Sequence, residues 1–188
     1  MIGAVLAGGQ ARRMVRSKAA LSLAGRPLIA WPLEAMASVA CDRLVVVCKP
    51  STVLPVLSSG AERWDEPAEP QHPLAGLTFA LERAGSDVLV CAGDMPFVDA
   101  ALFEAVKEAA RCEPGARAVV AEAGGRMEPL LGVYRPSGLP ALRAAEEDAR
   151  LTAVVEGLDP VRVPVSAGAV RSVNTPEQLA AAEAELAG

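Results

Sequence analysis

An unbroken apolar run, Ile2 to Leu6, predicts a first strand buried on both faces. After Gly25-Arg26-Pro27 the period changes. Ile29, Leu33, Met36 and Ala40 recur at spacings of four, three and four, as one face of an amphipathic helix. Leu44 to Cys48 predicts a second buried strand, ended by Lys49-Pro50. Ala61 to Trp64 predicts a short third one, with Asp65 at its carboxyl end. Asp65 to Pro73, rich in proline and acidic residues, predicts a surface loop before a helix that turns Leu77 and Leu81 inward.

The most strand-like stretch is Asp87 to Ala92, which ends at Gly93-Asp94-Met95-Pro96. Asp99 is placed to cap a helix whose Leu102 and Val106 face the core. Ala116 to Ala121 predicts a further strand. After a Gly124-Gly125 turn, Glu128 to Tyr134 predicts an antiparallel strand at the edge of the sheet. Pro136 to Gly168 is weakly periodic and is read as two short helices and a strand near Val161 to Val165. Thr175-Pro176-Glu177-Gln178 combines a capping box with proline at the first helical position. It opens a last helix with Leu179, Ala182 and Leu186 as its buried stripe. Strands alternating with helices imply a three-layer α/β fold, Rossmann-like, around a mostly parallel sheet, with residues 1–188 as one domain.

Composition narrows the function classes. A net charge of -5 gives no general attraction to nucleic acid, and 3% aromatic residues leave little for base stacking. The cysteines, Cys41, Cys48, Cys91 and Cys112, show no CxxC spacing, and His72 is the single histidine. A zinc site and a Ser-His-Asp relay are therefore poorly supported. No apolar run is long enough to span a membrane, and the start lacks the pattern of a signal peptide, so a cytoplasmic location is expected.

The chemistry concentrates in the loop after the first strand. Gly8-Gly9 lets backbone pass close to a ligand, and Arg12, Arg13, Arg16 and Lys18 follow within a few positions. Exposed N–H groups backed by cations suit a polyphosphate. Lys18 is followed by Ala19 and no second glycine precedes it, so the loop is not a Walker A motif. Gln10-Ala11-Arg12-Arg13 after Gly8-Gly9 excludes G-x-G-x-x-G. In open α/β sheets ligands bind beyond the carboxyl ends of strands, which is where this loop, Asp65 and Asp94 fall. With Asp99 assigned as the cap, Asp94 is read as a ligand for Mg²⁺.

LAGG-x-x-x-R-M-x-x-x-K in this position resembles the signature loop of the nucleoside-triphosphate transferases. PLAGL (Pro73 to Leu77), AGDMPF (Ala92 to Phe97), EPLLGVY (Glu128 to Tyr134) and VNTPEQL (Val173 to Leu179) follow in order. Together they resemble the molybdenum cofactor guanylyltransferases of the MobA type, over essentially the whole chain. The resemblance implies the nucleotide-diphospho-sugar transferase-like version of the α/β fold. It also implies transfer of GMP from GTP to the terminal phosphate of molybdopterin, with release of pyrophosphate. Mg²⁺ is the implied cofactor, GTP and molybdopterin the implied substrates, and molybdoenzyme-maturation proteins candidate partners. By the same resemblance Leu6, Ala7, Gly8 and Gly9 hold the guanine and ribose side, and Arg13 and Lys18 hold the triphosphate. Asp65 lies near the guanine, Asp94 binds magnesium and nucleotide, and Asn174 lies near the metal and the acceptor phosphate.

The chain departs from the family pattern at Val15, Ser17, His72, Glu128 and Ser172. His72 is read as a loop residue at the cleft rim, and Glu128 as a partner for an arginine or an exposed edge-strand charge. Two alternatives stand beside the guanylyl reading. One is a cytidylyltransferase or a transferase for another phosphorylated acceptor, although such relatives tend to carry LAAG in place of LAGG. The other is a non-catalytic protein that binds nucleotide or molybdopterin.

Overall fold

The structure is a computed structural model describing residues 1–7, 18–57, 60–146 and 148–186, with the side chain of Lys18 outside the description. In chain order the strands are β1 (Ile2–Leu6), β2 (Ser22–Leu23), β3 (Arg26–Pro27), β4 (Arg43–Cys48), β5 (Glu62–Asp65), β6 (Val88–Ala92), β7 (Ala118–Ala123), β8 (Arg126–Tyr134) and β9 (Val161–Pro164). The helices are α1 (Ala30–Ala37), α2 (Pro73–Ala84), α3 (Ala100–Cys112), α4 (Leu139–Ala144), α5 (Leu151–Glu156) and α6 (Pro176–Leu186).

Seven strands form one sheet in the order β5-β4-β1-β6-β8-β7-β9, and β2 pairs with β3 in a separate ribbon. The sheet is parallel except where β8 runs antiparallel to β6 and β7. Along each strand the side chains alternate between two apolar layers. Val5, Val46, Leu89, Val119 and Val133 meet Leu33 and Met36 of α1 and Phe103 and Val106 of α3. Ala4, Val45, Val47, Val90 and Val120 meet Leu77 and Leu81 of α2, Leu142 of α4 and Val155 of α5. The expected three-layer architecture is present. Cys91, in the first of these layers, and Cys48, at the end of β4, are buried free thiols, and burial pushes the Cys48 thiol up to about 11.

Three expectations are corrected. The strand from Glu128 to Tyr134 is not at the edge: β8 lies between β6 and β7, and β9 takes the edge. The reason is visible in its sequence, because Leu131, Gly132, Val133 and Tyr134 are all buried and need cover on both sides. Helix α1 stops at Ala37, so Val39 rather than Ala40 reaches the core. In α6 only Ala182 is fully buried, and Leu186 is exposed. This helix packs not on the main sheet but on the β2–β3 ribbon, where Leu23, Leu28, Val173 and Ala182 form a small satellite core with Leu179. The predicted caps hold. Asp99 Oδ1 accepts from the Leu102 N–H at 2.8 Å, and Gln178 Oε1 accepts from the Thr175 N–H at 3.1 Å while Thr175 Oγ1 accepts from the Gln178 N–H at 3.3 Å.

Gly124 and Gly125 make the tight turn from β7 into β8, but the tightest contact lies further on. A Cβ on Gly132 would sit 2.5 Å from the Val119 carbonyl oxygen and 3.0 Å from the Val120 Cα, both backbone atoms that cannot yield. Gly132→Ala is therefore expected to cost about 2–4 kcal/mol. Chemical denaturation checks this, and an unchanged midpoint would contradict the close approach of β7 and β8.

Candidate active site

The order of the strands locates the site. From β1 the chain moves outward through β4 to β5, then returns to place β6 on the other side of β1. Loops on the two sides part at such a reversal and leave a crevice at the carboxyl ends of β1 and β6. A cavity of about 430 Å³ lies there, lined by Leu6 and Ala7 after β1, by Ala92, Gly93, Asp94 and Met95 after β6, and by Ser172 and Asn174. Its floor is closed by backbone pairing: the Gly93 N–H donates to the Leu6 carbonyl at 3.0 Å, and the Ala7 N–H donates to the Val47 carbonyl at 2.8 Å. Gly93 permits this closeness, since a Cβ there would stand 3.2 Å from the Leu6 carbonyl oxygen.

The far wall comes from β8. Between the pairs Val120↔Gly132 and Ala121↔Glu128, β7 advances one residue while β8 advances four, so 129–131 bulge out of register. Pro129 cannot donate to a ladder, which suits it to a bulge. Tyr134, fully buried, donates its hydroxyl to the Pro129 carbonyl and pins the bulge. On the other side β6 pairs with β8 only up to Cys91↔Leu131, so the two strands part at this point. Glu128, Pro129 and Leu130 line the space between them.

Asn174 is delivered from the opposite direction. The Val173 N–H donates to the Asp94 carbonyl at 2.9 Å, and the Asn174 N–H donates to Gln178 Oε1 at 2.7 Å. The α6 cap and the satellite core thus fix Asn174 beside the turn that carries Asp94.

Of the residues singled out in the sequence, the structure brings Leu6, Ala7, Asp94 and Asn174 together in one cavity. Gly8, Gly9 and Arg13, and the side chain of Lys18, lie outside the described residues, as do Arg12, Val15, Arg16 and Ser17. On either side of these positions, Ala7 after β1 and Ala19 in the 3₁₀ turn Lys18–Ala20 both line the cavity. Asp65 is not among the lining residues. It ends β5 exposed to solvent and accepts from Arg63 Nε at 2.8 Å.

The buried acid of that segment is its neighbour, Glu66, at 3% exposure. It passes under the start of α2, where a Cβ on Gly76 would lie 3.4 Å from its Oε2. Lys49 Nζ stands 3.3 Å from the same oxygen and donates to the carbonyls of Pro67 and Pro70, both at 2.7 Å. This pair ties down the loop that ends at His72 and Pro73. His72, expected as a rim residue, is the α2 N-cap: its Nδ1 accepts from the Leu74 N–H at 3.3 Å, and Pro73 lines the cavity.

Sequence reasoning did not place Glu128, Ser172 or Leu151 in the site, although the proline three residues before Gly132 was a usable signal for the bulge. Leu151 belongs to a weakly periodic stretch and carried no signal. Burial pushes the Glu128 carboxyl above the usual carboxylate range, and Arg126 partly offsets this.

Glu66 supplies a pH-dependent stability term. Burial raises its carboxyl above the ordinary value of 4.5, against the pull of Lys49. The folded chain therefore binds this proton more tightly than the unfolded chain, so the contribution is full at low pH and fades as pH rises through the folded value. Wild type should lose stability relative to Glu66→Gln as pH climbs above 4.5. Denaturation midpoints at stepped pH test it, and a difference that stays flat would contradict the burial of this charge.

With this geometry in hand, likeness to known proteins is informative. A family model described as the MobA-like NTP transferase domain matches residues 3–162. A molybdenum cofactor guanylyltransferase from Cereibacter sphaeroides is 36% identical over an alignment of 201 positions, covering 99% of this chain and 97% of that protein. A probable molybdenum cofactor guanylyltransferase from Synechococcus elongatus is 35% identical over 144 residues, 73% of each chain. The crystal structure of molybdopterin-guanine dinucleotide biosynthesis protein A from Archaeoglobus fulgidus superposes with a TM-score of 0.80 at 30% identity, covering 100% of this chain and 99% of that one. A 2-C-methyl-D-erythritol 4-phosphate cytidylyltransferase from Thermus thermophilus, at 23% identity and a TM-score of 0.71 over 98% of each chain, shares the fold. The chain belongs to the family of MobA-like NTP transferases and is a nucleotidyltransferase.

Proposed function

We propose that this protein transfers the GMP moiety of GTP to the terminal phosphate of molybdopterin, releasing pyrophosphate. The observation that carries the reading is the single cavity in which Leu6, Ala7, Asp94 and Asn174 converge, lined also by Ala19; Ala7 and Ala19 flank in sequence the glycine- and arginine-rich stretch 8–18. Relatives named as molybdenum cofactor guanylyltransferases supply the substrate class.

Attack of one phosphate oxygen on another phosphorus brings two anions together. Catalysis of this kind rests on alignment and charge neutralisation, not on a protein nucleophile. The described lining accordingly holds no histidine and no thiol. Ala7 commits its N–H to Val47, so Leu6 and Ala7 offer a nucleotide a rigid apolar floor. Arg13 and Lys18 are assigned to the triphosphate, where they stabilise charge gathering on the departing pyrophosphate. Asn174, locked by its own cap, orients the acceptor phosphate beside Asp94.

The donor set suits Mg²⁺. Asp94, Asn174 and Ser172 are hard oxygen donors in one cavity, and among the described residues no group of three His, Cys, Asp or Glu side chains forms a cage. One carboxylate completed by substrate phosphates and water is the usual arrangement for this ion. Bound there on Asp94, Mg²⁺ would neutralise phosphate charge and hold donor and acceptor in register. Asp65, assigned to the nucleotide by the resemblance, is held by Arg63 at the exposed end of β5.

The test is an assay of pyrophosphate release from purified protein with molybdopterin, Mg²⁺ and each nucleoside triphosphate in turn. Release with GTP is expected, and it should fall ~10²-fold or more in Asp94→Ala while the fold is kept. Release with CTP but not GTP, or with no triphosphate, contradicts the proposed function. Near-full activity of Asp94→Ala contradicts its assignment to the metal.

A further inference from the structure

Glu128 has no role in the reaction as derived so far, yet it stands in the wall of the cavity. Its position is built, not incidental. The bulge at 129–131, pinned by Tyr134 and backed by Gly132, turns this part of β8 away from β6 and toward the open space. The side chain is half-buried, and among the described residues it has no hydrogen-bond or ion-pair partner; Arg126 acts on it only at a distance.

A carboxylate is out of place in a cavity that receives polyphosphates unless it faces a cation or an N–H-rich part of the ligand. Asp94 already serves the cation. Glu128 also lies on the opposite side of β6 from β1, and so away from the floor assigned to the nucleotide. Its neighbours Pro129, Leu130 and Leu151 make an apolar shelf suited to a flat ring. A 2-amino-4-oxopyrimidine ring presents a ring N–H beside an amino group, two parallel donors that match the two oxygens of a carboxylate. Guanine and a pterin both carry this edge.

We propose that Glu128 is a specificity-determining residue that accepts hydrogen bonds from the amino-pyrimidinone edge of the acceptor's pterin ring. This rests on the guanylyl-transfer reading, and it adds which residue selects the acceptor. It also gives a physical account of one position, Glu128, at which the chain departs from the family pattern.

The test compares full-length wild type with Glu128→Gln, which keeps the shape but turns an amide N–H toward the donor edge. Steady-state rates are measured with molybdopterin varied at saturating GTP, and with GTP varied at saturating molybdopterin. The acceptor KM should rise at least about tenfold, the size of one charge-assisted hydrogen bond, with kcat within about threefold and the GTP KM unchanged. The preference for GTP over inosine triphosphate, which lacks the amino group, should also be unchanged. Thermal melting should be no lower than that of wild type, because the carboxylate is desolvated where it stands and its ionised form costs stability near neutral pH.

A raised GTP KM with lost discrimination against inosine triphosphate would move the contact to guanine and overturn the proposal. Unchanged constants, or both KM values rising together with a lower Tm, would also overturn it. Quenching of the fluorescence of 6-hydroxymethylpterin gives a readout that needs no turnover, and its affinity should fall about tenfold or more in Glu128→Gln. If wild type transfers no GMP, the proposed function fails by itself. Equal pterin affinity of wild type and variant defeats the role of Glu128 whether or not transfer occurs.

Discussion

The parting of β6 and β8 is the feature on which the site depends. Strands paired along their whole length would leave no room between them, and a sheet this apolar gains by pairing. Separation is enforced at one point. Gly132 lets β8 press against the Val119 carbonyl, and the chain then bulges through Pro129 to Leu131 with Tyr134 holding the Pro129 carbonyl. The motif EPLLGVY is thereby explained as a mechanical unit: proline and glycine shape the bulge, tyrosine locks it, and glutamate is what it presents. The cost of burying a phenol is offset because its hydroxyl finds an acceptor.

A second device brings in a residue from the far end of the chain. Asn174 reaches the cavity because α6 leaves the main sheet and packs on the β2–β3 ribbon through Leu23, Leu28, Val173 and Ala182. The same ribbon directly follows the 3₁₀ turn in which the glycine- and arginine-rich loop ends. One small core therefore anchors both the exit of that loop and the residue assigned to the acceptor. The Val173 N–H, bonded to the Asp94 carbonyl, joins this core to the carboxyl end of β6.

Much of this was legible in the chain. Ile2 to Leu6 and, after Asp87, Val88 to Ala92 announced themselves as buried strands because burial on both faces leaves no polar position. Asp99 and Thr175 announced helix starts because capping needs particular side chains at fixed offsets. What could not be read were choices made by tertiary pairing. Whether Glu128 to Tyr134 lay at the edge or inside depended on where β9 would dock, and the four alternating residues 161–164 mark a strand without saying which neighbour it pairs with. Asp65 and Glu66 are adjacent acids, and only the path of the chain beneath α2 decides that the second is buried with Lys49. His72 looked like an ordinary loop residue because an imidazole cap lacks the sequence signature of Ser, Thr, Asp or Asn.

The reversal of strand order at β1, the enforced gap at β8 and the anchored Asn174 lead to one claim. Donor and acceptor meet in the cavity at the carboxyl ends of β1 and β6. A crystal structure with GTP and Mg²⁺ bound tests it most directly. The account predicts the nucleotide base and ribose over Leu6 and Ala7, with the triphosphate beside Asp94 and the space toward Glu128 left open for an acceptor. A nucleotide bound elsewhere, or one that fills the pocket against Glu128 and Leu130, would contradict it.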